Sequence, residues 1–245
     1  LQNGLTQIQQ NNMGFHRGPN IVTDGLIFAL DAGSSRCFTS GETTATDLVQ
    51  GFNCSGASGN PGSGTHTPNT ANFPAYNSIN GGVFDFNGGR GINIDGDLGS
   101  STASSISMWF YKNNGNTDYF TDGRNDGGNW FLSNYLSYNI NWHSNLRYNF
   151  EDPYNYAATA FINKWIHMVV TSDSTGSKLY INGVYTTATT ETSADEDFGI
   201  NYRIGCRFNT TGEWDGYMGP IYFYNKKLSA AEVAQNYNSQ KSRFI

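Results

Sequence analysis

Histidine and carboxylate side chains are the first candidates in this chain for acid–base chemistry. The histidines are His16, His66, His143 and His167, and none neighbours a G-x-S-x-G elbow or a candidate nucleophilic cysteine motif. His167 lies in KWIHMVVTS (164–172), where period-two counting places it on one side with Trp165 and Val169. This pattern predicts a hydrogen-bonded, buried histidine in a strand rather than a catalytic base.

A glycosidase needs two carboxylates about 5–10 Å apart, and acids two or four residues apart in one strand commonly provide them. The six glutamates of this chain provide no such pair in an aromatic strand. Glu151 and Asp152 precede a proline, and the acidic patch ETSADED (191–197) lies in a polar segment between strands. We therefore expect a protein that is not an enzyme.

Oxygen donors suited to calcium cluster in two glycine-rich stretches. FDFNGGRGINIDGD supplies Asp85, Asn87, Asp95 and Asp97. TDGRNDGGN supplies Asp122, Asn125 and Asp126. Neither stretch has EF-hand spacing, and Asp-Gly and Asn-Gly pairs also form ordinary β-turns. A calcium site and structural turns both stay open, and the sequence indicates no other cofactor.

The stretch 129–156 is rich in aromatic residues among asparagines. Aromatic faces can stack on sugar rings while amides bind hydroxyls, but tyrosine and tryptophan are also enriched at protein contacts and in ordinary strands. Strand packing, a protein contact and a glycan surface are therefore three alternatives for this stretch. The candidate ligand-binding residues are Trp130, Tyr135, Tyr138, Trp142, Tyr154 and Tyr156.

These residues must be positioned by short strands, because apolar runs recur at short intervals between Gly and Asn turns. Nine or more such strands predict a sandwich or barrel. SSISMWFY (104–111) alternates, with Ile106, Met108 and Phe110 on one face. The predicted strands are 25–30, 83–86, 91–95, 104–111, 130–140, 145–150, 164–172, 178–183, 202–208 and 216–224.

Three segments do not fit the strand pattern. Residues 34–80 have the composition of a loop. Residues 1–24 are Gln/Asn-rich and predict an arm that docks on another protein, with a disordered tag as the alternative. Residues 228–244 contain Ser229 three positions before Glu232, a capping box, and predict a helix of about two to three turns.

Composition excludes several classes of function. The chain has 245 residues and a net charge of −6 without a basic run, so we expect neither nucleic acid nor an anionic membrane surface as a partner. No apolar run reaches the length of a membrane span, and no signal peptide is visible. The three cysteines allow one bridge, Cys37–Cys54, or three buried free thiols.

Four stretches resemble laminin-G-like, concanavalin A-like jelly-roll domains, in the order of that family. The hairpin WIHMVVTSDSTGSKLYING (165–183) resembles the signature hairpin. GGVFDFNGGRGINI (81–94), SISMWFYK (105–112) and GYMGPIYFYNKKLSAAEV (216–233) resemble a strand pair, the first core strand and the closing strand. The resemblance implies an all-β sandwich of two antiparallel sheets with a short C-terminal helix, over residues 25–245. Tyr222 stands where many members have Asp, which weakens the case for the family's calcium site.

The two ends of the chain resemble structural proteins of tailed bacteriophages, particularly marine and cyanobacterial ones. The stretches concerned are GPNIVTDGLIFALDAGS (18–34) and LSAAEVAQNYNSQKSRF (228–244). The resemblance implies a virion surface protein, such as a head decoration, a fibre or a tail appendage. It would be made in the host cytoplasm, attached to other virion proteins through the arm 1–24, and homo-oligomeric. A glycan-binding module that recognises host surface polysaccharide is the alternative, and a polysaccharide-degrading enzyme is the third.

Overall fold

A computed structural model describes most of the chain as a sandwich of two antiparallel β-sheets with one α-helix. The backbone alone is described for 118–119, 131–135, 139–144, 146–149, 189 and 196–197. The described residues are 20–57, 70–87, 89–113, 118–122, 131–135, 139–144, 146–149, 161–189, 196–198, 202–206 and 213–245.

The strands are numbered in chain order. They are β1 Leu26–Leu30, β2 Thr44–Thr46, β3 Asn53–Gly56, β4 Ala75–Asn77, β5 Val83–Asp85, β6 Ile92–Asp95, β7 Ser100–Ser101, β8 Ala103–Lys112, β9 Asp118–Asp122, β10 Phe131–Tyr135, β11 Asn139–Ser144, β12 Leu146–Asn149, β13 Trp165–Asp173, β14 Gly176–Ile181, β15 Val184–Thr189, β16 Glu196–Asp197, β17 Arg203–Ile204 and β18 Gly216–Tyr224. The helix α1 spans Ala230–Phe244, and 3₁₀ turns form at Thr70–Asn72 and Ile79–Gly81.

Each of the two large sheets has eight strands. Sheet A has the order β15-β14-β13-β8-β18-β5-β4, and β1 also pairs with β18. Sheet B has the order β12-β11-β10-β9-β17-β6-β3-β2, and a small third sheet pairs β16 with β7. Because all these pairings are antiparallel, the predicted class, an all-β antiparallel sandwich, is confirmed.

Alternation along the central strands places the core between the sheets. In β8, Ile106, Met108 and Phe110 are fully or almost fully buried in the main cluster. Ile92 and Ile94 of β6 in sheet B belong to the same cluster. Successive side chains of a strand point to opposite faces, so the other face of sheet A needs its own cover.

Helix α1 covers that other face of sheet A. Trp109 stacks on Phe244 with ring centroids 4.5 Å apart, and its indole N–H donates to Gln240 Oε1 at 3.0 Å. The amide of Gln240 donates to the Tyr222 hydroxyl at 2.6 Å. Both faces of the central strands are therefore buried, as the hairpin pattern predicts.

The predicted loop over 34–80 is wrong in part, because β2, β3 and β4 lie within it. These strands have three or four residues each and pair with sheet edges rather than carrying an apolar alternation. The predicted strand 130–140 is two strands, β10 and β11, paired with each other. Strand β15 is also absent from the predicted set.

The helix is longer than predicted, with 15 residues instead of two to three turns. It begins with the predicted capping box: the Glu232 N–H donates to the Ser229 hydroxyl, and the Glu232 carboxylate accepts from the Ser229 N–H at 2.8 Å. Asn236, Ser239 and Gln240 are buried in its middle and second half. Because this buried face is polar, the sequence shows no apolar repeat there, and the predicted helix is too short.

The first described residues of the predicted arm lie against α1. Val22 is buried, and its N–H donates to Asn236 Oδ1 at 2.8 Å. The Tyr224 hydroxyl donates to the Val22 carbonyl at 3.1 Å, and Lys226 pairs with Asp24 at 2.6 Å. Residues 1–19 lie outside the described residues, so attachment through the arm stays a prediction.

Candidate functional site

One end of the sandwich gathers several stretches that are far apart in sequence. Strands β3, β6 and β17 pair in antiparallel register, so residues 57, 91 and 206 lie at the same end of sheet B. The register of β9 with β17 and of β10 with β9 places the end of β10 at this end as well. We call it the pocket end, because a cavity of about 180 Å³ lies there.

Main-chain hydrogen bonds join three segments in the wall of this pocket. The Ala57 N–H donates to the Gly91 carbonyl at 2.8 Å, and the Gly91 N–H donates to the Asn72 carbonyl at 3.0 Å. The Asn72 side-chain amide donates to the Ala57 carbonyl at 2.9 Å. The wall is therefore held in place by groups of the protein itself.

Two glycines shape the cavity. A Cβ at Gly91 would collide with the Cys206 sulfur, so that wall can be formed only by a residue without a side chain. Gly89 has φ +76° and open space around the position of a Cβ, a conformation that favours glycine. Between them Arg90 lines the pocket. The peptide of the Gly-Arg-Gly turn therefore borders the cavity directly.

The polar lining of the pocket combines one cation, one anion and one amide: Arg90, Glu213 and Asn72. Their formal charges cancel. Burial raises the pKa of the Cys206 thiol to about 12, so the thiol is neutral and a poor nucleophile at physiological pH. This lining can donate and accept hydrogen bonds, and it lacks a reactive nucleophile.

The calcium candidates Asp85 and Asn87 lie at the pocket end but are held by a hydrogen-bond network. Asn87 donates to Asp85 Oδ1 from its backbone N–H at 3.0 Å and from its side-chain amide at 2.6 Å. The Asn113 amide donates to Asn87 Oδ1 at 2.8 Å and to Asp215 Oδ1 at 3.0 Å. These hydrogen bonds therefore link the end of β5, the end of β8 and the start of β18, and they already occupy the oxygen atoms concerned.

The other two candidates lie at the opposite end of sheet B. Asp95 ends β6 and accepts hydrogen bonds from the side chains of Asn53 and Asn93 at 2.7 and 2.8 Å. Asp97 accepts from the Gly99 N–H at 2.8 Å, a local turn. The structure thus separates the four candidates into two pairs. Among the described residues, no three His, Cys, Asp or Glu side chains converge as a metal site.

The remaining predicted site residues are described in part or not at all. Asp122 ends β9 and is buried, whereas Asn125 and Asp126 lie outside the described residues. Tyr135 ends β10, and Trp142 lies in β11 opposite Leu132. The side chains of both lie outside the described part of the chain. The aromatic candidates whose residues are not described are Trp130, Tyr138, Tyr154 and Tyr156.

His167 is buried beneath α1, as the strand pattern predicts. Its Nε2 lies 3.0 Å from the Ser107 hydroxyl oxygen, and its ring packs against Trp109 with centroids 5.2 Å apart. Burial lowers its pKa to about 3. Both side chains are fully buried, so no substrate can reach them. The contact between His167 and Ser107 therefore stabilises the packing of sheet A.

Two antiparallel sheets packed face to face, with a terminal helix on the outer face of one of them, define a jelly-roll sandwich domain. The model of the concanavalin A-like lectin/glucanases superfamily matches residues 86–234, more than half of the 245 residues. The chain belongs to this superfamily. The resemblance of the four sequence stretches is thereby confirmed at the level of the family.

Solved structures agree with this fold. The chain is similar to domain 4 of AbnA, an extracellular arabinanase from Geobacillus stearothermophilus, in complex with arabinotriose. The two structures superpose with a TM-score of 0.63 at 19% identity, and the alignment covers 86% of this chain and 97% of that domain. The ligand-binding domain of botulinum neurotoxin serotype D, in complex with N-acetylneuraminic acid, has a TM-score of 0.60 at 20% identity. The alignment covers 89% of this chain but 51% of the toxin chain.

A third similar structure is the Trypanosoma rangeli sialidase in complex with the inhibitor DANA. Its TM-score is 0.55 at 12% identity, and the alignment covers 92% of this chain and 34% of the sialidase. A comparison with curated proteins gave no match. No helix in the described part of the chain is long and apolar enough to cross a membrane.

Proposed function

We propose that this chain is a carbohydrate-binding domain that acts by adhesion rather than by catalysis. The observation that carries the proposal is the cavity at the pocket end, which is lined by Arg90, Glu213 and Asn72. The C-terminus of strand β10 lies at this same end of the sandwich. Sugar hydroxyls both donate and accept hydrogen bonds, and this lining offers partners for both. Two of the similar structures carry bound sugars by their descriptions, which supports the same class of ligand.

A glycan array tests this function. We expect saturable binding of the purified protein to a subset of oligosaccharides, and isothermal titration calorimetry with the strongest ligand gives its Kd. Trp142→Ala and Tyr135→Ala test whether the aromatic stretch contributes, as the sequence suggests. Tyr185→Ala is the matched control, because Tyr185 is exposed on β15 of the other sheet. Absence of binding to every glycan on the array would refute the proposal.

The second candidate function is a structural role on the surface of a tailed-phage particle, with adhesion as part of it. Its support is the likeness of residues 18–34 and 228–244 to phage structural proteins, together with the contacts of Val22 and Asp24 with the helix end of the domain. An arm that leaves a fixed point beside α1 would suit attachment to neighbouring virion proteins and assembly as a homo-oligomer.

The position of the chain in purified particles, measured by electron cryomicroscopy, tests this second function. We expect density for the sandwich on the particle exterior, with residues 1–19 ordered against a neighbouring protein. Particles that lack the protein would exclude a virion role. The glycan-binding proposal would survive that result, because it does not depend on the particle.

The absence of catalysis is a proposal with its own assay. We expect no release of reducing ends when the protein is incubated with the polysaccharide that it binds. The buried, neutral His167 and the protonated Cys206 support this expectation, since neither offers a base or nucleophile at a surface. Time-dependent depolymerisation by the pure protein would contradict it.

A further inference from the structure

The pocket beside Arg90 has features that select among carbohydrates. Its volume of about 180 Å³ is below the roughly 300–1,000 Å³ of pockets for drug-sized ligands. Such a cavity holds one ring rather than an extended chain. The sugar chain beyond that ring would have to lie outside the cavity.

The charges of the pocket favour a neutral ring. Arg90 supplies donors and Glu213 supplies acceptors, and their formal charges cancel. The Cys206 thiol adds no negative charge, because burial raises its pKa to about 12. The whole chain carries a net charge of −6, which disfavours the approach of a polyanion. An acidic sugar would therefore meet no net attraction here.

The walls are suited to hold a ring without rearrangement. Three segments, at Ala57, Asn72 and Gly91, are joined by hydrogen bonds of 2.8–3.0 Å. Rigid walls lower the entropic cost of binding, because fewer groups must become ordered. Gly89 has open space where a Cβ would lie, so no side chain covers the backbone on that side of Arg90.

We propose that this pocket binds the terminal, neutral sugar ring of a glycan, with Arg90 and Glu213 as the side chains that hydrogen-bond its hydroxyls. The proposal rests on the glycan-binding function and adds the site and the class of sugar. It differs from the aromatic stretch 129–156 as a site, so substitutions can separate the two.

Isothermal titration calorimetry with defined probes tests the proposal. The neutral probes are arabinotriose, maltotriose and mannotriose, and the acidic probe is 3′-sialyllactose. We expect at least one neutral probe to bind the wild-type protein and the acidic probe to bind at least tenfold more weakly. Arg90→Gln and Glu213→Gln should each weaken the neutral probe at least tenfold, with unchanged thermal unfolding. Each of the two variants is a sufficient test if the other is unstable.

Arg36→Gln and Glu42→Gln are the matched controls, because both residues are exposed elsewhere on the described surface. They should bind within twofold of the wild type. Neutral-sugar binding that survives both pocket variants would overturn the pocket assignment but leave the glycan-binding function intact. Preference for the acidic probe would overturn the neutral class in the same way. If the wild type bound no probe and no glycan on the array, the proposed function itself would fail.

Discussion

His167 links the packing of sheet A to pH. Its ring has no exposed surface, and burial lowers its pKa from the usual 6.5 to about 3. Between these pH values the unfolded chain binds a proton that the folded chain does not. The contribution of His167 to the free energy of unfolding is therefore fully present above pH 6.5. It falls as the pH drops toward 3 and changes no further below that value.

We expect this histidine alone to remove about 2–3 kcal/mol from the free energy of unfolding between pH 7 and pH 4.5. His167→Gln keeps a hydrogen-bonding group for Ser107 but cannot take up a proton. The variant should lose that much less stability over the same range, measured by urea unfolding at both pH values. An identical pH dependence in variant and wild type would contradict the buried neutral state.

Arg243, near the C-terminus, contacts residues that are far from it in sequence. Its guanidinium pairs with Asp31 at 2.8 Å and donates to the carbonyls of Asn80 and Gly82. Arg243→Ala would leave the buried Asp31 carboxylate without its cation, and we expect a loss of about 3 kcal/mol in urea unfolding. Ser242→Ala, at an exposed position of the same helix, should change the stability by less than about 0.5 kcal/mol. Equal effects of the two substitutions would contradict this role.

At the scale of elements, the helix α1 is part of the sandwich rather than an appendage. It covers Trp109 and His167 with Tyr237 and Phe244, and its polar residues satisfy buried groups of β18. Its sequence pattern overlaps the stretch that resembles phage proteins, and many of these side chains have contacts within the domain. Intramolecular packing is therefore a sufficient physical reason for that pattern.

Removal of residues 229–245 should expose the outer face of sheet A. We expect the truncated protein to lose near-ultraviolet circular dichroism and to bind the dye ANS, because buried aromatic rings become accessible. Deletion of Ile245 alone is the control, since this residue is 69% exposed. Unfolding of the truncated chain that is as cooperative as that of the full chain would contradict this role of α1.

The sequence predicts those elements whose own side chains determine their structure. The hairpin of β13 and β14 follows from apolar alternation, and the next turn follows from Asn182-Gly183, which has positive φ at both residues. Strands β2, β3 and β4 could not be predicted in this way. They consist mainly of Thr, Asn, Ser and Ala, and they form because a sheet edge is available for pairing.

For the whole molecule, the free thiols give a test of the core. The three cysteines are unpaired and buried, which confirms one of the two sequence alternatives. Burial raises the pKa of Cys37 and of Cys206 to about 12, and it raises the pKa of Cys54 as well. We expect a thiol reagent to label none in the native protein and three in denaturant, and a reductant to leave the Tm unchanged. Rapid native labelling, or a Tm that falls with reductant, would contradict this packing.

The pocket was beyond the reach of sequence reasoning, because it is a product of the whole fold. Asn72, Arg90 and Glu213 line one cavity although they are distant in sequence. The register of β3, β6 and β17 places residues 57, 91 and 206 at one end, and hydrogen bonds tie Asn72 to Ala57 and Gly91. The one local signal was the Gly-Arg-Gly turn at 89–91, which flanks a cation with residues that leave space. The four calcium candidates are close in sequence, but most of strand β6 lies between the two pairs. Asp85 and Asn87 are therefore at one end of the sandwich, and Asp95 and Asp97 are at the other.

Carbohydrate binding at the pocket end can be tested by amide chemical-shift mapping during titration with an array-selected glycan. We predict saturable shifts at the pocket end, at Gly89, Gly91 and the neighbouring amides of Cys206 and Trp214. Shifts confined to the opposite end, around Asp95 and Asp97, would contradict the proposed site. A spectrum that stays unchanged at saturating glycan would contradict carbohydrate binding itself.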